Sequence, residues 1–418
     1  MKILLKSAKI IDQNSSFHQQ IKDVLIENGK ITQISKSINK PEKCKEIVLE
    51  NLHISNGWFD TSVSLGEPGF EERETIGHGL EVAAKSGFTA IALNPNTNPV
   101  IDNKSAVEFL IRKSSESPVR LYPIANLTQK GEGKELSEMY DMQKSGAIAF
   151  GDYTKAIDNA NLMKIALLYA QNFDALVLSF PQDTSIGHLG YVNESENTTR
   201  LGLKSLPNLS EELQISRDLF LLEYTGGKLH IPTITTAKSV QLIREAKKKN
   251  LRVTCSVAAH HIVLTDDEIK SFDSRFKVTP PLRSNSDTKA LVKGVKDGTI
   301  DIITSDHNPL DIEHKKVEFE NAAYGTIGLE SLFGAAHKVI DLETLISCLT
   351  EKPRHIFGLE NPKIGVGEKA NITLFNPDFN YTFSESDIIS KSKNSIFESK
   401  KLNGISYGII SDSKLVLR

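Results

Sequence analysis

Alternating apolar and polar positions open and close the chain, and between them short apolar runs take turns with helical stretches. Near the start, residues 24–26 and 31–34 flank Asn28-Gly29, a dipeptide suited to the two-residue turn of a hairpin. Near the end, residues 372–375 and 405–410 have strand character, and a turn at Ser411-Asp412-Ser413 leads into 415–417. Two strand-rich ends around one body predict a small β-sandwich domain assembled from both termini, residues 1–54 with 359–418. Inside 55–358, candidate strands lie at 58–64, 90–93, 121–125, 147–150, 175–178, 229–234, 252–257 and 301–304. Helical stretches such as 210–222 and 237–248 separate them. Eight such units over about 300 residues match a (β/α)8 TIM barrel, an α/β fold of about 250 residues with room for insertions. A doubly wound open sheet is the alternative, but no GxGxxG follows the first strand.

Composition changes this picture little. The 418 residues are 39% hydrophobic and 25% charged, an ordinary globular mixture, and the net charge of -3 leaves no footprint for nucleic acid. The run Lys247-Lys248-Lys249 reads as the solvated end of a helix, where cations suit the dipole. Cys44, Cys255 and Cys348 are scattered, which excludes a disulfide framework or a CxxC metal knuckle and fits a reducing compartment. The N-terminus lacks the long apolar core of a signal peptide, and no apolar run is long enough to span a bilayer. A soluble, cytoplasmic protein with no membrane partner is expected.

In a barrel of this kind chemistry sits at the C-terminal ends of the strands. Those positions read Asp60 to Gly69, Asn94-Pro95-Asn96-Thr97-Asn98-Pro99, Phe150-Gly151-Asp152, Ser179 to Asp183, His230-Ile231-Pro232-Thr233, His260-His261 and Ser305 to Leu310. Together with Glu67-Pro68-Gly69-Phe70-Glu71, Glu223-Tyr224-Thr225-Gly226-Gly227, Pro280-Pro281-Leu282-Arg283 and Tyr324-Gly325-Thr326-Ile327-Gly328, they resemble a dihydroorotase of the amidohydrolase superfamily. The branch is the one with Asp on strand four, and the resemblance covers nearly the whole chain.

The resemblance implies a zinc hydrolase, but the matching positions depart from it. Where the family carries His-x-His-Leu-Arg on strand one, with two zinc ligands and a substrate-binding Arg, this chain has Ser62, Ser64 and Gly66. The ligand histidines of strands five and six correspond to Phe180 and Thr233, although His230 persists nearby. A substrate-binding Asn is Thr279, and the last His of the strand-eight motif is Leu310. Asp152, a metal contact in the family, remains, as does Asp306, the family's general base and second metal contact. Asn96 matches a residue that binds the substrate carboxylate, and turn chemistry in an Asn-Pro loop explains it equally well.

Zinc favours imidazole and thiolate, and hydroxyls or a phenyl ring cannot replace them. Without the metal nothing lowers the pKa of the attacking water, and Gly66 offers no fork for a carboxylate. No zinc cofactor is therefore expected. Two carboxylates alone offer a weak site for a hard cation such as Mg2+, and the bland reading is a pair of buried, vestigial carboxylates. His230, His260 and His307 read as structural histidines, because His260 and His261, taken as strand residues, would point to opposite faces.

Three functions follow. Some members of the family that lack the zinc histidines assemble with aspartate transcarbamoylase, so the resemblance implies a non-catalytic partner of that enzyme in pyrimidine biosynthesis, as a homodimer like many of its relatives. The alternative is an active hydrolase of dihydroorotate or another cyclic amide with an atypical metal site. The third, a metabolite sensor using the old pocket, has only the fold in its favour.

Overall fold

The computed structural model describes residues 2–187, 190–270 and 272–418. Strands from both ends of the chain meet in one sheet, in which Ile372–Thr382 pairs antiparallel with His53–Asn56, and His53–Asn56 pairs parallel with Lys2–Ile10. The expected hairpin is present: Glu27 faces Lys30 across Asn28 and Gly29, both with positive φ (49° and 76°), as a type I′ turn demands. The apolar face of this sheet, with Ile3, Leu5, Ile54 and Leu374, forms a core of its own.

The chain passes from this sheet into a barrel between Asn56 and Trp58. Eight parallel strands follow: β1 (Trp58–Val63), β2 (Phe88–Leu93), β3 (Arg120–Ala125), β4 (Ala149–Phe150), β5 (Val177–Leu178), β6 (Leu229–Ile231), β7 (Val253–Ala258) and β8 (Ile302–Thr304). The ring closes from β8 to β1 through a bridge between Val63 and His307, where the Ser64 amide donates to the His307 carbonyl at 2.7 Å. All eight fall where apolar runs placed them, because a strand covered by helices outside and packed inside is apolar on both faces. The principal outer helices are α1 (Ile76–Lys85), α2 (Lys104–Ser114), α3 (Met139–Lys144), α4 (Ala160–Ala170), α5 (Asn208–Thr225), α6 (Ala237–Lys248), α7 (Asn285–Lys296) and α8 (Leu342–Leu349). Thr236 caps α6 by accepting from the Ser239 amide at 3.1 Å, and Lys247 and Lys248 fill its last turn.

Barrel and sheet are joined at Trp58. Its amide donates to Thr373 Oγ1 at 3.1 Å, and its ring packs against Phe88, Phe333 and Phe375. One expectation is corrected. His260 and His261 lie not on a strand but in a short helix, Ala259–Val263, so their rings come within 4.2 Å between centroids instead of pointing apart. The three cysteines are buried and free. Among the described residues no helix is long and apolar enough to cross a membrane.

Candidate functional site

Side chains alternate along a strand, so Asp60, Ser62 and Ser64 all project from one face of β1 and its end. Asp60 is buried and knits the seam of the barrel: its Oδ1 accepts from the Ser62 amide and its Oδ2 from the Ser305 amide, each at 3.1 Å. Burial pushes its carboxyl up to about 7, and the nearby Asp306 adds to the rise. Beyond it, Ser62 Oγ donates to Asp306 Oδ1 at 3.0 Å, and the Tyr153 hydroxyl donates to the same oxygen at 3.3 Å. Asn94, at the end of β2, donates from Nδ2 to Ser62 Oγ at 3.3 Å and Ser64 Oγ at 3.2 Å. Burial pushes the Asp306 carboxyl up to about 6, against the pull of the Ser62 and Tyr153 bonds. Burial and the Asp306 charge also push the Tyr153 phenol up, so it keeps its proton and serves as a donor.

Asp152 faces the same cavity but is already committed. Its Oδ1 accepts from Asn126 Nδ2 at 3.2 Å, the Leu127 amide at 2.9 Å and the Thr128 amide at 3.1 Å, and its Oδ2 accepts from the Thr128 hydroxyl. These bonds fasten the loop after β3 to the end of β4. His230 is equally engaged, with Nδ1 2.9 Å from Thr254 Oγ1 and Nε2 3.2 Å from Ser256 Oγ. Burial takes its imidazole down to about 3, so the ring is neutral. Phe180 is buried and lines the same cavity.

The cavity lined by Ser62, Asp152, Tyr153, Phe180, His230 and Asp306 measures about 30 Å3, room for about one or two water molecules. It opens past Tyr153 and Asp306 into a vestibule of about 410 Å3, which Asn96, Thr279, Leu310 and Arg73 also help to line. Gly66 is remote from any such use. A Cβ there would lie 1.8 Å from the Phe70 carbonyl oxygen, so the backbone leaves no room for a side chain at that position. The Asn96 Oδ1 is buried and has no hydrogen-bond partner among the described residues.

These residues do not fit a zinc ion. Hydroxyls, an amide and two carboxylates surround the cavity, the imidazole beside it is bonded through both nitrogens, and the Asp152 oxygens are spent on the β3 loop. Among the described residues no three His, Cys, Asp or Glu side chains converge as a metal site. The arrangement can hold a water or a proton between Asp306 and its donors. Backbone strain remains at two of the strand ends, where Thr233 and Asp306 adopt positive φ of 52° and 48°. For a β-branched threonine this conformation is rare and costs about 1–2 kcal/mol.

Of the positions the sequence points to, Ser62, Ser64, Gly66, Asn96, Asp152, Phe180, Thr233, Thr279, Asp306 and Leu310, the fold gathers all but Ser64 and Gly66 around the cavity or its vestibule. Ser64 reaches the cluster through Asn94. Asp60 and Asn94 stand among the strand-end positions of the sequence without an assigned role, and Tyr153, Ser256 and Arg73 carry no local signal. An acidic residue inside the apolar run Trp58-Phe59-Asp60 was the available signal for the first of them.

The model of the family described as "Dihydro-orotase-like" matches residues 53–239, and that of the "Amidohydrolase family" matches residues 221–414. The dihydroorotase of Syntrophus aciditrophicus is 38% identical over 411 residues, covering 97% of this chain and 96% of that protein. The dihydroorotase of Acetivibrio thermocellus is 38% identical over 423 residues, covering 100% of this chain and 99% of that protein. Among solved structures, an L-hydantoinase (dihydropyrimidinase) from Arthrobacter aurescens superposes with a TM-score of 0.86. It covers 100% of this chain and 96% of its own at 19% identity, a likeness of fold.

Proposed function

The chain belongs to the dihydroorotase family, and from that premise we propose that it is a non-catalytic member, serving pyrimidine biosynthesis as a structural partner of aspartate transcarbamoylase in the cytoplasm. One observation carries the reading: where a zinc hydrolase needs imidazoles to hold the ion that activates water, this barrel mouth presents hydroxyls, a phenyl ring and an imidazole bonded through both nitrogens, and Asp306 is bound by Ser62 and Tyr153. Loss of the imidazole ligands removes the means of activating water, and Gly66 removes the carboxylate fork together with the space for one. Even a hard cation would have to take Asp152 from its four bonds to the β3 loop.

The site without imidazole ligands sits in an undamaged body. The barrel ring is complete, the terminal sheet is packed onto it, and helix caps and core are intact. A fold kept in this state without chemistry at its mouth is what a structural subunit requires. The test is sedimentation velocity of the purified chain with the aspartate transcarbamoylase of the same organism. A faster-sedimenting species containing both chains is expected, and two independent boundaries at micromolar concentrations would remove the partner role.

A further inference from the structure

Two lysines near the barrel mouth are buried without a carboxylate to pair with. Lys277 and Lys315 are 3% and 4% exposed. Lys277 Nζ donates to the Phe319 and Glu320 carbonyls at 2.9 and 2.7 Å and lies 4.8 and 4.9 Å from the ring centres of Tyr191 and Tyr324. Lys315 ends a short helix, Ile312–Lys315, in the loop after β8. Its Nζ donates to the Lys277 and Ala323 carbonyls at 2.9 and 3.0 Å, which leaves one of its three N–H groups. The carboxylates whose charge bears on the pair are engaged elsewhere, Asp273 with Arg275 at 2.6 Å and Glu320 with Lys204 at 2.8 Å. A lysine this deeply buried ordinarily has an anion beside it. Burial and the Lys277 charge push the Lys315 amine down to about 7, as befits a cation short of its counterion.

Lys315 lines a cleft of about 660 Å3, together with Arg73, Lys316, Lys391 and Lys393. Carboxylates line it as well, and their pairing decides its charge. Asp273 and Glu398 hold Arg275 at 2.6 and 2.5 Å, and Asp311 holds His314 at 2.7 Å. Arg73 lies over the Phe70 ring, 3.8 Å from Glu72 and 3.5 Å from Asp311, and its buried Nε has no hydrogen-bond partner among the described residues. Among the described lining residues, Lys315, Lys316, Lys391 and Lys393 have no ion-pair partner, against Glu385 as the one such carboxylate. Two of these lysines stand on fixed backbone. The Lys391 amide donates to Glu74 Oε2 at 3.0 Å, Ser390 Oγ donates to Glu330 at 2.6 Å, and Asn394 Nδ2 donates to the Gly325 carbonyl at 3.3 Å. The amines of Lys391 and Lys393 donate to carbonyl oxygens, of Glu71 at 3.0 Å and Ile388 at 2.8 Å.

We propose that this cleft binds a phosphorylated small molecule, whose phosphate is held among Arg73, Lys315, Lys391 and Lys393 and supplies the anion that the buried lysines lack. A dianion with three acceptor oxygens suits cations that arrive from three separate segments of the chain, where a single carboxylate would satisfy one of them. The volume falls within the roughly 300–1,000 Å3 of small-molecule sites, so the phosphate carries an organic part. The cleft shares Arg73 and Leu310 with the vestibule but not the cavity at Asp306, and the proposal does not depend on whether the chain has a transcarbamoylase partner.

Isothermal titration calorimetry of the full chain with pyrophosphate, at constant ionic strength, provides the test. One site per chain with a Kd of about 1 mM or below is expected. The double variant K391Q/K393Q is expected to weaken binding about tenfold, with an unchanged melting temperature because both side chains are exposed. Lys315→Met is expected to weaken it as well. Lys248→Gln, an equal loss of charge at an exposed position of α6, is expected to leave it unchanged. Absence of binding to the wild-type chain, a double variant that binds as tightly, equal weakening by K248Q, or citrate binding as tightly as pyrophosphate would each overturn the proposal.

Discussion

Removing the Tyr153 hydroxyl probes the polar cluster around Asp306 without disturbing its packing. In Tyr153→Phe the ring stays and only the oxygen leaves, so packing is preserved and Asp306 keeps Ser62 as its donor at 3.0 Å. Above pH 7 the Asp306 carboxylate is ionised, since burial places its titration at about 6. A hydrogen bond to a charged group is worth about 1.5–3 kcal/mol, and the 3.3 Å length places this one near the lower end, about 1.5–2 kcal/mol. At pH 5 Asp306 holds its proton in the folded state, the bond becomes neutral, and its loss costs about 1 kcal/mol or less. The sign of the wild-type dependence follows from the same shift. A carboxyl raised from 3.8 to about 6 binds more protons folded than unfolded, so its contribution to stability falls as pH rises through that window. The variant makes that fall steeper, because it removes a donor to the charged form. Urea titrations at pH 5 and pH 8, followed by the fluorescence of the single, buried Trp58, measure both costs. A cost below about 0.5 kcal/mol at pH 8, or the same cost at both pH values, would refute the reading of Tyr153 as a donor to an ionised, buried Asp306.

Phe180→Ala is expected to cost about 3 kcal/mol in the same titration, since it removes a buried ring from the cavity wall. Asp152→Asn is expected to cost about 3 kcal/mol or more, because either amide orientation turns an N–H2 towards donors from Asn126, Leu127 and Thr128. Lys315 donates to the Lys277 and Ala323 carbonyls at 2.9 and 3.0 Å, and burial, with Lys277 nearby, pushes its amine down to about 7. Between pH 7 and 10.5 the unfolded chain holds a proton that the native chain has released, so stability rises with pH across that window, by at most about 5 kcal/mol. In Lys315→Met that rise is expected to flatten, as read from unfolding free energies at pH 7 and pH 9.5.

The parts of this structure legible in the sequence are those set by local periodicity. The barrel strands are buried on both faces and therefore apolar throughout, as in Phe88–Leu93, and Asn28-Gly29 marks its hairpin because both residues tolerate positive φ. The positions around the cavity were legible because strand ends line the mouth of a barrel whatever residues occupy them. What stayed hidden depends on distance in the chain. Tyr153 follows Asp152 directly, yet its partner is Asp306, and no local pattern pairs them. The tight approach of Phe70 to Gly66 is a loop conformation with no periodic signature. His260 and His261 follow an apolar strand and share its composition, so a helical turn was read as more strand. In α5 the stripe of Leu209, Leu213, Phe220 and Tyr224 has helical spacing, but periodicity alone does not say which side faces out.

The central claim is that Ser62, Tyr153 and Asp306 form a hydrogen-bonded polar cluster and not a metal centre. Metal content by plasma mass spectrometry, taken together with dihydroorotate turnover on the same full-length sample after incubation with zinc or manganese, tests it most directly. Well under one retained metal ion per chain and no turnover above background are predicted. Stoichiometric zinc accompanied by hydrolysis would contradict it.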